Sequence, residues 1–243
     1  MGLAEKPLQF KAHNMTTLRL ISSMATKPLL ADLVALYQAQ APDVHIEIES
    51  VGGVDAAKRV QAGETFDGVV LASDAIDKLL ASGHVMAGSR VDLVHSGVAV
   101  AVTAGQPAPD ISSEDALRQA VLAATSVGLS TGPSGVQLRQ LFEHWGILTH
   151  IESKLVQAKP GVPVGDLLAQ GEVALGFQQL SEMRGVTGIR VLGPLPPAVQ
   201  IITTFSGSVA GLCTQPELVR KLLAFWASPV VTPTKLQHGM SPP

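Results

Sequence analysis

Only one cysteine, Cys213, occurs in the 243 residues. That excludes an intrachain disulfide framework and any zinc site built on several thiolates. Aromatic residues make up 4% of the chain, too few for a platform on which sugars or nucleobases stack. Charged residues make up only 15%, with 17 basic against 20 acidic and no block of one sign. A nucleic-acid surface needs a basic stripe to neutralise phosphates, so no nucleic-acid partner is expected. No apolar run approaches the ~18 residues that span a bilayer. The seven histidines show neither H-E-x-x-H nor another metal-ligand spacing, and a G-x-S-x-G nucleophile elbow is missing. No metal and no organic cofactor are therefore expected. Cys213, in an apolar setting, reads as a small core residue.

What remains is a chain that is 46% hydrophobic, rich in Ala, Val, Leu and Gly. Its length suits one large α/β domain or two lobes of roughly 100–130 residues. Short β-branched runs alternate with helical patterns, as in parallel sheets with crossover helices. Leu18–Ser23 reads as a strand and Lys27–Gln40 as a helix with Pro28 in its first turn. Val44–Val51 alternates as a half-exposed strand, and Gly52-Gly53 leads into a helix over Asp55–Ala62. Val69–Ala72 is a buried strand, with Ser73 as N-cap of the next helix. Two long apolar segments, near 97–104 and 199–210, bracket a middle block. The expected division is an extension at 1–14, one lobe from 15–98 and 200–243, and an inserted lobe at 99–199.

The extension Met1–Asn14 is polar and holds no apolar core of a secretory signal. A periplasmic location is expected if the chain is a processed form, and a cytoplasmic one if it is full length.

Several strand ends run straight into Ser, Thr or Gly and then a helix. In open α/β sheets ligands bind outside the carboxyl ends of the strands. Helix N-termini there present unpaired N–H groups and favour anions. Ser22 and Ser23 place two hydroxyls at the first such end, beside Lys27. A lysine at a helix start opposes the dipole, a cost that a bound anion offsets; a solvated surface lysine is the plainer alternative. Gly53 either permits close approach or makes a tight turn. Ser130, Thr131, Gly132 and Ser134 form the richest loop, glycines admitting a ligand beside hydroxyl donors, or else an ordinary capped loop. The loop lacks the lysine of a phosphate-binding P-loop. Gln178 and Gln179 either reach a cleft with neutral amides or form a polar helix start.

On these residues the chain from Leu18 onward resembles the type II periplasmic binding-protein superfamily, in its molybdate-binding-protein-like branch. The likeness rests on strand–Ser23–helix, the Gly52–Val54 loop and Gln61-Ala62-Gly63…Phe66-Asp67…Ala72-Ser73-Asp74. It continues through Ser130–Gly135 and Gly171-Glu172-Val173-Ala174-Leu175-Gly176. The resemblance implies an α/β fold of two lobes with a ligand cleft between them. It implies a small anionic ligand held by Ser23, the Gly53 region, Ser73, the Ser130–Ser134 loop and the Gln178 neighbourhood. Two departures matter: Gly52-Gly53-Val54 stand where molybdate binders carry a serine, and Gln178-Gln179 where they often carry a tyrosine. With Lys27, Arg59 and Arg139 expected near the cleft mouth, a larger carboxylate suits the chain better than a tetrahedral oxyanion.

The likeness extends to aconitate-isomerising members of the branch. That implies cis/trans interconversion of aconitate by a 1,3 proton shift without a cofactor. Such a reaction needs a base, for which Lys27, its pKa lowered by burial, stands ahead of Glu182 and His95. The alternative is a solute receptor for an oxyanion or carboxylate, with an ABC-importer permease as partner. A monomer is expected in either case.

Overall fold

A computed structural model describes residues 15–243, so the expected extension at 1–14 lies outside the described residues. In chain order the elements are β1 (Thr16–Ser23), α1 (Lys27–Gln38), β2 (Val44–Val51), α2 (Gly53–Gln61), β3 (Gly68–Ala72), α3 (Ser73–Ala81) and β4 (Val91–Thr103). Then follow α4 (Glu114–Ala123), β5 (Val127–Leu129), α5 (Pro133–His144), α6 (Leu148–Ile151), β6 (Leu155–Gln157), α7 (Val164–Ala169), β7 (Leu175–Gln179) and α8 (Leu180–Met183). The chain ends with β8 (Ile189–Pro194), β9 (Ile202–Val209), α9 (Pro216–Ala227), α10 (Thr232–Gln237) and β10 (Met240–Ser241).

The strands are ordered β2-β1-β3-β9-β4-β7-β5-β6, with β8 and β10 also paired to β4. β1 runs parallel to β2 and β3, and β5 parallel to β6 and β7, each linked by helical crossovers. β9 is antiparallel to both β3 and β4. β4 connects two sheet regions: residues 91–97 pair with β9, and residues 98–102 pair with β7. The apolar core divides at the same point. Two groups of buried side chains draw only on residues 18–94 and 205–240, and two others only on residues 98–201.

β4 begins six residues before the strand expected from Gly97. Asp92, His95 and Ser96 interrupt the apolar pattern there. Asp92 accepts a hydrogen bond from Ser206 Oγ at 2.6 Å, and Ser96 lies opposite Thr203. α5 starts at Pro133, whose fixed φ suits the first helical turn. Ser134 therefore sits inside that turn. Ser73 opens α3 but makes no side-chain cap, so its expected N-cap role is not realised. Gln178 and Gln179, expected at a helix start, are the last residues of β7.

Candidate anion-binding cleft

The carboxyl ends of β1 and β3 meet the loops after β5 and β6 and the end of β7 around one cavity of about 450 Å³. Ser23, Gly53 and Ala72 line it from one sheet region, and Ser130–Ser134, Gly161–Pro163, Gln179 and Glu182 from the other. Phe205 of β9 lies in its floor. The two sides touch. A Cβ on Gly52 would lie 3.3 Å from the Gly161 backbone nitrogen, and Ser181 Oγ donates to the Ala25 carbonyl at 2.9 Å.

The Ser130–Gly135 loop is built by one close approach. A Cβ on Gly135 would fall 1.9 Å from the Ser130 carbonyl oxygen, so only glycine lets the first turn of α5 fold over β5. That turn brings the Ser134 and Ser130 hydroxyls to 3.2 Å and aims the N-terminus of α5 at the cavity. Across the gap, α2 begins at Gly53 beside Ser23, whose hydroxyl lies 3.5 Å from that of Thr26. Ser23, Gly53, Ser130, Thr131, Gly132 and Ser134, far apart in the chain, thus surround one space.

Several sequence expectations come out differently. Ser22 faces away, its hydroxyl 2.8 Å from Ser50 Oγ on the neighbouring strand β2. Ser73 is not part of the cavity wall, which at that strand end is formed by Ala72, Asp74 and Ala75. Lys27 is exposed and lines no part of the cavity, so the burial that its role as base requires is missing. Gln178 is buried behind the wall, its Oε1 accepting from Val164 N at 2.7 Å and Gly165 N at 3.4 Å. His95 faces a separate hollow of about 290 Å³. Arg59 is engaged by Glu49 and Glu64, and Arg139 by Glu152, so neither is a cation of the cleft.

Lys58 and Lys78 are the cations in the cavity wall among the described residues. Val54, Ala57, Lys58 and Gln61 of α2 all line it, at the i, i+3, i+4, i+7 spacing of one helix face. That stripe was readable in the sequence. Glu182, the first acid of α8, is the ionisable group set deepest in the wall. Burial raises its carboxyl to about 7, and a hydrogen bond from the Gln178 amide partly opposes the shift. With Gln178 Oε1 held by the α7 backbone, its NH2 is left to face Glu182. Replacing Gln178 by Leu removes a donor that favours the ionised form. A pH titration of Glu182, followed by carbon-13 NMR, is expected to show its pKa moving upward from about 7, not downward.

A two-part α/β sheet, crossed by antiparallel β4 and β9 and enclosing hydroxyls and helix N-termini in one cleft, is the arrangement of a solute-binding protein. The chain belongs to the bacterial extracellular solute-binding protein family, whose model matches residues 18–241. It is 37% identical to an aconitate isomerase of a Pseudomonas species, over 99% of this chain and 93% of that protein. Its fold matches the periplasmic molybdate-binding protein of Azotobacter vinelandii with a TM-score of 0.76, 18% identity, and coverage of 93% of this chain and 99% of that one. The sulfate-binding protein SubI of Mycobacterium tuberculosis matches with a TM-score of 0.77, 16% identity, and coverage of 93% and 87%.

Proposed function

We propose that this protein interconverts cis- and trans-aconitate by a cofactor-independent 1,3 proton shift, with Glu182 as the base. The observation that carries the reading is a buried carboxyl, Glu182, in the wall of the hydroxyl-lined cavity, where burial raises its pKa to about 7. The 37% identity to an aconitate isomerase supports the same substrate. The ionised Glu182 takes a proton from the substrate methylene, breaking that C–H bond. The electron pair spreads over three carbons and onto the flanking carboxylates. The Glu182 carboxyl then gives a proton to the former vinyl carbon, forming the new C–H bond as the double bond moves. Ser23, Ser130, Thr131 and Ser134, with the N–H groups at the starts of α2 and α5, hold the carboxylates on which negative charge grows. A base with a pKa near the working pH combines a large ionised fraction with useful proton affinity.

Purified protein incubated with cis-aconitate is expected to yield the trans isomer, separated by chromatography, at a kcat/KM that rises with pH through about 7. Tight molybdate binding by calorimetry without isomerisation would instead establish the second reading, a solute receptor for an ABC importer. The hydroxyl-lined cleft and the family match favour that second reading.

Lys58 and Lys78 fit a ligand with more than one carboxylate, meeting the group farthest from the Ser130–Ser134 loop. Both are exposed, and Lys78 also lies 3.6 Å from Asp74, so each contributes little. Lys58→Gln and Lys78→Gln are each expected to raise KM for aconitate about threefold at low salt, and less at high salt, with kcat held. Steady-state kinetics at two ionic strengths check this.

A further inference from the structure

α8, the four-residue helix that carries Glu182, is tied down on two sides by side chains that line no part of the cavity. It follows β7 and packs with the core built from residues 98–201, yet both ties reach the core built from residues 18–94 and 205–240. On one side the buried Ser181 hydroxyl donates to the Ala25 carbonyl at 2.9 Å. Ala25 belongs to the short turn Met24–Thr26 that directly follows Ser23. On the other side Arg184 Nη1 donates to the carbonyl of Gln237, the last residue of α10. Leu180 packs there as well: a Cβ on Gly239 would lie 2.9 Å from Leu180 Cδ2 and 3.5 Å from Arg184 Nη1.

The segment that receives Arg184 is itself anchored. Lys235 is fully buried, and its Nζ donates to the Leu93 carbonyl of β4 at 2.7 Å. His238 Nε2 lies 2.8 Å from Asp32 Oδ2 of α1, and Met240 and Ser241 pair with Ser96 and His95 of β4. α8 thus leans on a fixed support. Leu180 and Arg184, four residues apart, share a face of the helix, while Glu182, two residues from each, points the other way into the cavity. A single helical turn has little stability of its own. Where the Glu182 carboxyl stands is therefore decided by what grips α8 from outside.

We propose that Ser181 and Arg184 are positioning residues for Glu182. Ser181 ties its helix to the turn after Ser23, and Arg184 ties it to the C-terminal segment. The proton-transferring group is thereby held in register with the turn that helps to grip the anion, although the two belong to different parts of the core. The inference rests on reading Glu182 as the base.

The test compares wild type with Ser181→Ala, Arg184→Ala and Arg184→Lys, by steady-state isomerisation of cis-aconitate and by carbon-13 NMR titration of Glu182, its signal assigned with Glu182→Gln. Burial and the Gln178 amide set the Glu182 pKa, with no direct part for Ser181 or Arg184. The other charged groups around α8 (Lys58, Asp74 and Lys78 across the cavity, Lys235 and His238 behind) are unaltered in these variants, so a shift reports movement of the helix. Ser181→Ala and Arg184→Ala are each expected to lower kcat about tenfold with KM little changed. In both, the titration midpoint is expected to fall from about 7 toward 4.5, because a loosened α8 admits water to the carboxyl. Arg184→Lys keeps a cationic donor for the Gln237 carbonyl and is expected to restore kcat and midpoint together. An alanine variant at either position with a lower melting temperature but wild-type midpoint and kcat would overturn the inference while leaving the isomerase reading intact. So would an upward shift in Arg184→Ala, the sign expected if the guanidinium acted through its charge. If wild type does not turn cis-aconitate over, Glu182 fails as the base and the midpoints alone decide the inference. Arg184 is exposed, so Arg184→Ala is expected to fold, and it decides by itself should Ser181→Ala not do so.

Discussion

Replacing Glu182 by Gln is expected to lower kcat for aconitate isomerisation by about 10²–10⁴-fold, the usual range for loss of a positioned base. Glutamine keeps the size of the side chain and removes a negative charge, so affinity for the trianionic substrate is expected to hold or improve. A kcat loss without a rise in KM separates this from damage to the anion-holding loops. The same variant has a distinct effect on stability. The carboxyl titrates at about 7 in the fold against 4.5 for the unperturbed group. As pH rises between those values the unfolded chain loses its proton first, so the native protein is destabilised relative to it. The contribution is complete below about 4.5 and gone above about 7. Glu182→Gln escapes that loss: it should match wild type near the lower pH and exceed it by roughly 2–4 kcal/mol at alkaline pH. Urea unfolding at two pH values gives the comparison, and a variant less stable than wild type under alkaline conditions would contradict the assigned burial.

Gly135→Ala is expected to abolish ligand binding and destabilise the fold together. The added methyl would lie 1.9 Å from the Ser130 carbonyl oxygen, which is backbone and cannot swing aside. Either α5 lifts from β5 or the Ser130–Ser134 loop moves, and both outcomes separate the hydroxyls from the α5 N-terminus. The expected cost is about 3 kcal/mol or more, with affinity for aconitate down at least about 100-fold. Gly132→Ala is the control. Its Cβ would meet only Ser130 Oγ at 3.8 Å, an ordinary contact, so a much smaller loss is expected. Equal effects at the two glycines would mean that the close approach at Gly135 does not organise the loop.

Two strands that carry the cleft were visible in the sequence because propensity and burial agree in Leu18–Ser23 and Val69–Ala72. Ser23, Gly53 and the Ser130–Ser134 loop followed from those strands, since ligands gather where strands end. Parity was harder to read. Gln178 and Gln179 point to opposite faces of β7, and a helix assumed to start at Gln178 loses that distinction. Only Gln179 reaches the cavity; Gln178 is fixed by the α7 backbone. Lys27 was misjudged because a position at a helix start gives no measure of burial. Glu182 was underrated for the same reason: its shifted pKa comes from packing of α8 between β4 and the segment after β1, which no local pattern encodes. Lys58 and Gln61 were readable from their shared helix face with Val54 and Ala57. Ser96 and Thr203 became neighbours only through antiparallel pairing of strands more than 100 residues apart.

Solvent exchange tests the central claim most directly. Protein is incubated with cis-aconitate in deuterated buffer, and the trans product and recovered substrate are followed by proton NMR. If Glu182 takes the methylene proton and returns one to the far carbon, the new methylene carries either the transferred proton or a deuteron exchanged onto the carboxyl, and Glu182→Gln abolishes turnover together with any labelling. Turnover or labelling undiminished in Glu182→Gln would contradict proton transfer by this carboxylate.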